Sequence, residues 1–323
     1  MLKITKTLFL SLLVGALNLQ IIVLISTSCT KEGSDNQKNE ALIFSLINDI
    51  NSDSLEADVL WLQKMGTRFA LSNDRRNVAI RLKNRFIQMG YSKAIVDSFF
   101  VTKTIHNIEY DQWQYNIIAY IEGTTYPDSL CIIGGHYDNI LKSGNPFILV
   151  PGANDNSSGV AAAMEIARVM KKDHFSPKSS ILFIAFGSEE IGLLGSSVFA
   201  DSLDEFSQKI KFMLNNDMIA YEPEHDPSFW RVNIIDYDNS HNLRADAEKI
   251  CVRYTNLNFN NDNTYNQKSD SYPFFANGYK ALYFSSNKID PNYHTLNDVV
   301  TNCNFNYCCE IVKISCALLV NAN

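Results

Sequence analysis

The chain has 323 residues, of which 46% are hydrophobic, 20% charged and 11% aromatic, a balance that excludes a disordered protein, a collagen-like repeat and a disulfide-dense miniprotein. Only one apolar run is long enough to matter for a bilayer, which excludes a polytopic membrane protein. A formal net charge of −7 with no basic run argues against nucleic acid as a partner.

That apolar run opens the chain. Lys3 and Lys6 precede a mostly apolar stretch from Leu8 to Ile25, interrupted by Asn18 and Gln20, and Cys29 follows Ser26, Thr27 and Ser28. Residues 1–28 therefore read as an export signal rather than as part of the fold. The segment resembles a bacterial lipoprotein signal, which implies cleavage before Cys29 and a lipid on its thiol. A plain signal peptide and an uncleaved anchor are the alternatives. The expected location is the cell envelope, periplasmic or surface-exposed, with secretion if Cys29 is not lipidated. Without residues 1–28 the chain loses two lysines and no acid, so 26 basic groups face 35 acidic ones, a net of −9. Residues 29–40, polar from Thr30 to Glu40, read as a flexible tether.

Residues 41–72 carry helical periodicity through Leu42, Ile43, Leu46, Ile47, Leu60, Leu62 and Met65. Residues 74–90 read as an amphipathic helix with Val78, Ile80, Leu82, Phe86 and Met89 on its apolar face and Gly90 ending it. Gln114 to Ile121 reads as a strand, as does Ser129 to Ile133; Val160 to Met170 reads as a helix opened by Ser157 and Ser158. The continuous apolar run Ser180 to Phe186 is that of a strand buried on both faces. A loop and helix over Gly192 to Phe206, strands at Ile210 to Leu214 and Lys280 to Ser285, and a helix from Cys303 to Leu319 complete the chain. Asn256 to Asn266 holds six asparagines and reads as an exposed loop, with a rim of the substrate pocket as the second reading. Strands alternating with helices imply an α/β fold, a three-layer α/β/α sandwich around a mixed, mainly parallel sheet. Beyond Cys29 there are six cysteines but no CxxC pair, so their spacing offers no thiolate zinc site; Cys131, in an apolar run, reads as a small buried hydrophobe.

Polar residues stand where the apolar strands stop. Ser129–Ile133 runs into Gly134-Gly135-His136-Tyr137-Asp138, Ser180–Phe186 into Gly187-Ser188-Glu189-Glu190, and Ile210–Leu214 into Asn215-Asn216-Asp217. The last strand is followed by a loop containing His294, and Gly152-Ala153-Asn154-Asp155-Asn156 lies just ahead of a helix. In open α/β sheets ligands bind at the carboxyl ends of the strands. Each of these residues alone has an ordinary structural reading as a cap, a turn or a solvated face; five such segments converging on one sheet edge do not. Imidazole and carboxylate donors without thiolate suit zinc, with cobalt or manganese able to substitute. The His-x-Asp spacing lets Asp138 hold the second nitrogen of His136.

The order of motifs resembles the M28 family of co-catalytic zinc peptidases, of the aminopeptidase Y and bacterial leucyl aminopeptidase type. The matching pieces are GGHYD (134–138), PGANDNSSG (151–159), FGSEEIGLLGS (186–196), NNDMI (215–219), SDSYPF (269–274) and YHTLND (293–298), together with Gly66-Thr67-Arg68. The resemblance spans roughly residues 55–320 and implies one catalytic domain over residues 41–323. It implies two zinc ions bridged by Asp155, with His136 and Asp217 completing one site and Glu190 and His294 the other. Glu189 would then be the general base, Tyr293 an oxyanion stabiliser and Asp270 a supporting residue behind the ligands. A cis peptide is usual in the family after the bridging aspartate, here Asp155–Asn156. Ser271 stands where members often carry His, which bears on substrate preference rather than on metal. The implied reaction is hydrolysis of the N-terminal peptide bond of peptides by a monomeric enzyme whose only membrane attachment is a lipid at Cys29. The alternatives are a glutaminyl cyclase on the same scaffold and a non-catalytic binding protein.

Overall fold

A computed structural model describes residues 37–105, 107–203 and 209–323. Two compact units divide the chain, Met1–Ser45 and Leu46–Asn323. The described part of the first is helical, and this helix (α1) runs over residues 37–48. The signal segment 1–28 and residues 29–36 of the expected tether lie outside the described residues; residues 37–40 are helical. No helix among the described residues is long and apolar enough to cross a membrane.

The second unit is built on one eight-stranded sheet. Its strands are β1 (Ile95–Ile105), β2 (Ile108–Ile121), β3 (Tyr126–His136), β4 (Ser179–Phe186), β5 (Lys209–Asn216), β6 (Arg231–Ile235), β7 (Asn258–Asn260) and β8 (Ala281–Ser286), in the order β1-β2-β4-β3-β5-β8-β6-β7. The central strands β4, β3, β5 and β8 are mutually parallel, as are β6 and β7. The pairs β1–β2, β2–β4 and β6–β8 are antiparallel, so the sheet is mixed and mainly parallel. The helices are α2 (Ser52–Gln63), α3 (Arg75–Gln88), α4 (Ser158–Lys172), α5 (Leu194–Leu203), α6 (His241–Tyr254), α7 (Ser271–Ala276) and α8 (Phe305–Asn321).

Alternation along each strand sends side chains to opposite faces and so creates the layers. Leu130 and Ile132 of β3, Ile184 and Phe186 of β4 and Met213 of β5 pack on Phe199 and Leu203 of α5 and on Phe274 of α7. Phe183, one residue out of phase, faces the other way. Its ring meets Tyr91 at 5.7 Å between centroids, and the Tyr91 hydroxyl donates to the Ala167 carbonyl of α4. On that side α4 lies against β3, β4 and β5 and is backed by α2 and α8. Twelve of the fifteen residues of α4 are buried, which is why Val160-Ala-Ala-Ala-Met is apolar on every side. The six described cysteines are free, and Cys131 is fully buried.

The helix expected over 74–90 forms as α3, with Val78, Leu82 and Phe86 buried, Ile80 exposed and Gly90 at φ 96° after its end. The periodic stretch 41–72 does not form one helix. It breaks at Asn51, whose side chain caps α2 by accepting from the N–H groups of Asp53 and Ser54, and it leaves helix after Gln63. The β1–β2 hairpin, β6, α6, β7 and α7 escape the sequence reading. β1 is an edge strand whose alternating residues include Asp97, Lys103 and exposed Phe100, and α6 buries only Ala247, Ile250 and Cys251. Both lack the apolar stripe that periodicity detects.

The start of α4 and the end of β5 are in close contact. A Cβ added at Gly159 would lie 1.9 Å from the Asn216 carbonyl oxygen and 2.6 Å from Asn156 Oδ1. Gly159→Ala must therefore push α4 away from β5, at an expected loss of about 2–3 kcal/mol in denaturant unfolding. A variant as stable as the parent would show that the helix can withdraw freely.

Candidate metal centre

Because β3, β4, β5 and β8 are parallel, their carboxyl ends share one edge, and the polar residues that follow each apolar run collect there. His136 is the last residue of β3. Glu189 and Glu190 follow β4, and Asp217 follows β5. Asp155 sits in the irregular turn Ala153–Ser157 that leads into α4, next to the cis peptide Asp155–Asn156. His294 lies in the loop after β8. Three non-glycine residues with left-handed backbone, Ser188 (φ 64°), Met218 (φ 56°) and His294 (φ 58°), are at or beside these positions. Each costs on the order of 1 kcal/mol and concentrates where a site dictates the chain path.

The five expected ligands converge. His136 Nε2 lies 3.3 Å from Asp155 Oδ1 and 3.5 Å from Asp217 Oδ1. His294 Nε2 lies 2.9 Å from Asp155 Oδ2 and 3.0 Å from Glu190 Oε2. Three groups of potential ligands result, His136/Asp155/Asp217, Asp155/Glu190/His294 and His136/Glu189/Glu190, each with its donor atoms within 4.8 Å of one another. Asp155 belongs to the first two and turns one oxygen to each imidazole. Glu189 Oε2 stands 4.0 Å from His136 Nε2 and is absent from the His294 group. The donor set of nitrogen and carboxylate oxygen fits zinc. Asp217 Oδ1 is buried without a hydrogen-bond donor and is thus free to ligate.

The electrostatics also call for cations. Burial, reinforced by Asp155, pushes Glu190 up to about 8. Burial, with Glu190, Asp270 and Asp217 close by, raises Glu189 well above the carboxylate range. Burial works against charge on the imidazoles, yet hydrogen bonds to Asp155 and Glu190 raise His294 to about 9, and Glu189 and Asp217 raise His136. Asp155 itself is also buried, but its hydrogen bonds to both imidazoles hold it below the usual range.

The residues behind the ligands partly differ from expectation. The nearest partner of His136 Nδ1 is the main-chain oxygen of Asp138 at 3.1 Å; the Asp138 carboxylate is 3.8 Å away. That carboxylate instead accepts from the N–H groups of Glu189 (3.0 Å) and Glu190 (3.2 Å), fixing the backbone of both glutamates. Asp217 Oδ2 accepts from Ser269 Oγ at 2.5 Å. Asp270 is fully buried and raised by burial to about 7. Tyr293 stacks on His294 with ring centroids 3.7 Å apart, and Lys142 Nζ covers its ring at 4.3 Å. Ser271 is buried against the Tyr237 hydroxyl.

Two residues escaped assignment of a role from sequence. Asp298 accepts from the N–H groups of Asn154 (2.7 Å) and Asp155 (3.0 Å), one with each oxygen. Arg68, 1% exposed, donates to the carbonyls of Leu62, Tyr137, Pro151 and Gly152 and to Ser157 Oγ. Both lie inside quoted motifs, but composition and spacing carry no sign of their partners. A cavity of about 220 Å³ opens on the ligands and is walled by Ile235, Asp262, Tyr265, Lys268, Tyr283 and Tyr293 among others. Asp262 and Tyr265 come from the asparagine-rich segment, which is exposed and also forms part of this rim.

A parallel-sheet edge carrying histidine–carboxylate groups with a shared aspartate makes this an α/β protein with a candidate metal centre. The profile of peptidase family M28 matches residues 116–319, and the chain belongs to that family. A probable zinc metalloprotease of Leptosphaeria maculans is 28% identical over 192 residues, covering 56% of this chain and 44% of the relative. The chain thus spans less than half the length of that relative. A probable leucine aminopeptidase of Arthroderma otae is 26% identical, covering 86% of this chain and 74% of the relative. Among solved structures, LapB from Legionella pneumophila matches with a TM-score of 0.73 at 25% identity, covering 88% of this chain and 75% of that one. A glutaminyl cyclase of Bacteroides thetaiotaomicron bound to N-acetylhistamine matches with a TM-score of 0.67 at 16% identity, covering 84% and 98%, a likeness of fold alone.

Ligand atoms must be deprotonated to bind metal. With Glu190 at about 8 and His294 at about 9, this pair holds protons at pH 7 in the metal-free chain. Zinc uptake at pH 7 should release about one proton or more per chain, read by calorimetry in buffers of different ionisation enthalpy. Apparent zinc affinity should fall as pH is lowered from about 8 to 6. Uptake without proton release would contradict this account of the pair.

Proposed function

We propose that the chain is a di-zinc aminopeptidase that hydrolyses the N-terminal peptide bond of peptides. One observation carries the reading: two three-residue ligand groups share Asp155, while Glu189 belongs to neither of them and meets only His136 and Glu190. His136, Asp155 and Asp217 would hold one ion and Asp155, Glu190 and His294 the other. Zinc bound there would polarise the scissile carbonyl and acidify the attacking water.

The remaining steps belong to the chain's own residues. Glu189 accepts the water proton on Oε2 and returns it to the leaving amine. Burial beside Glu190, Asp270 and Asp217 raises its proton affinity in the metal-free chain. Glu190, committed to the His294 side, cannot serve in that role. Asp138 keeps the two glutamates apart in function by holding both of their N–H groups. Tyr293 at the cavity wall would donate to the developing oxyanion. The signal-like segment ending at Cys29 supports a lipid-anchored enzyme of the cell envelope.

Glu189→Gln should retain zinc and lose about 10²–10⁴-fold in turnover of leucyl or alanyl anilides. Near-parental turnover would remove Glu189 from the base role. Asp155→Ala and Glu190→Ala should instead lose zinc, measured by metal analysis, together with activity. Assay of a peptide with N-terminal Gln separates the alternative chemistry, since cyclisation without anilide hydrolysis would make the chain a cyclase.

A further inference from the structure

The cavity wall contains a buried phenol that the reaction so far leaves idle. Tyr283 lies on β8 near its carboxyl end, opposite Asn215 of β5 and Ile235 of β6 in the sheet register. Residues paired in register project from the same sheet face. Asn215 on this face donates to Ser269 Oγ, which in turn donates to Asp217, and Ile235 lines the cavity. Tyr283 therefore shares a sheet face with the Asn215–Ser269–Asp217 chain of hydrogen bonds and with Ile235 of the wall. It is 7% exposed, lines the cavity together with His136, Asp155, Glu189 and Asp217, and its hydroxyl has no hydrogen-bond partner among the described residues.

The two phenols come from different elements. Tyr293 belongs to the His294 loop, stacked on that imidazole. Tyr283 stands on β8 beside Asn215, whose amide reaches Ser269 and through it Asp217. Other donors line the cavity, but Lys288 is paired with Glu224, the Asn233 amide donates to the Asp262 carbonyl, and Lys268 and Tyr265 are exposed at the rim. Tyr283 is a donor buried beside the carboxylates and imidazoles themselves. A phenol with no acceptor of its own, held still in a sheet, is preorganised for a carbonyl oxygen gaining charge.

We propose that Tyr283 is a catalytic residue, its hydroxyl donating a hydrogen bond to the scissile carbonyl oxygen as that oxygen becomes tetrahedral. The inference rests on the hydrolase reading and adds a donor to it from the strand side. No bond to Tyr283 forms or breaks: the phenol keeps its proton, and the water proton travels through Glu189.

The test uses the zinc-loaded chain and a phosphinic dipeptide analogue, whose tetrahedral phosphinate oxygen copies the developing oxyanion. Tyr283→Phe, which deletes only the hydroxyl, should weaken binding of the analogue and lower kcat/KM on leucyl anilide by about 100-fold. Zinc content should stay at the parental value, and affinity for free leucine should change by no more than about twofold, because the planar carboxylate makes no transition-state contact. Unchanged analogue affinity in the folded, zinc-loaded variant would overturn the role of Tyr283 alone. A parental chain that takes up no zinc or binds no analogue would overturn the hydrolase reading and this one with it. Should Tyr283→Phe fail to fold, Tyr283→His and Tyr283→Leu are compared; equal analogue affinity of the donor-bearing and donor-less variants overturns the proposal.

Discussion

Four carboxylates that share one buried cavity repel each other, and the architecture of the sheet edge answers that repulsion. At an effective dielectric of about 20, two like charges 4 Å apart cost about 4 kcal/mol, so Asp155, Glu189, Glu190 and Asp217 cannot all be ionised without compensation. Part of the relief comes from protons, which is why Glu189 and Glu190 are raised while Asp155, between two imidazoles, is lowered. The rest would be met by cations held on the same oxygens. A set of residues this unfavourable for the metal-free fold is the signature of a site whose geometry serves chemistry rather than stability.

The same constraint explains the unusual use of polar groups around the ligands. Asp298 and Asp138 direct their carboxylates at main-chain N–H groups instead of at histidines, so the fixed element is the backbone that carries each ligand. Arg68 does the same from the opposite sense by gathering main-chain carbonyls under the Pro151–Gly152 turn. Its five acceptors come from four separated stretches of chain, and a planar guanidinium is the side chain that can reach them together. The site is thus suspended from backbone hydrogen bonds, while side chains on the ligands stay free to meet metal and substrate.

Adjacent glutamates face different imidazoles although one clamp holds both of their N–H groups, because the chain turns there. Ser188 in left-handed backbone starts that turn, and the two side chains leave it toward different imidazoles, Glu189 to His136 and Glu190 to His294. The wall that would meet the substrate is supplied by later and less regular chain. Asp262 and Tyr265 come from the segment around the short strand β7, and Tyr283 from β8. Scaffold and candidate ligands are therefore separable from the residues that line the rest of the cavity.

The sequence by itself determined the candidate ligand residues, which the fold brings together, and the sheet edge on which they stand. Apolar runs that end in His136, Ser188-Glu189-Glu190 and Asn216-Asp217 are local signals, and strand direction carries them to one place. It also determined α3, α4, α8 and the central strands, whose burial is written in consecutive apolar residues. It did not reveal β1, β6 or α6, which are half exposed and lack a clear period. The tertiary structure decided everything that depends on partners far along the chain. Asp298 finds the amide of Asn154 across 144 residues, Asp138 prefers two amides to the histidine beside it, and Tyr283, one aromatic in a core-like strand, turns out to face the ligands. Hydrogen-bond partners are chosen by the folded backbone's orphan donors and acceptors, and no local pattern of residues records which of them a given side chain will meet.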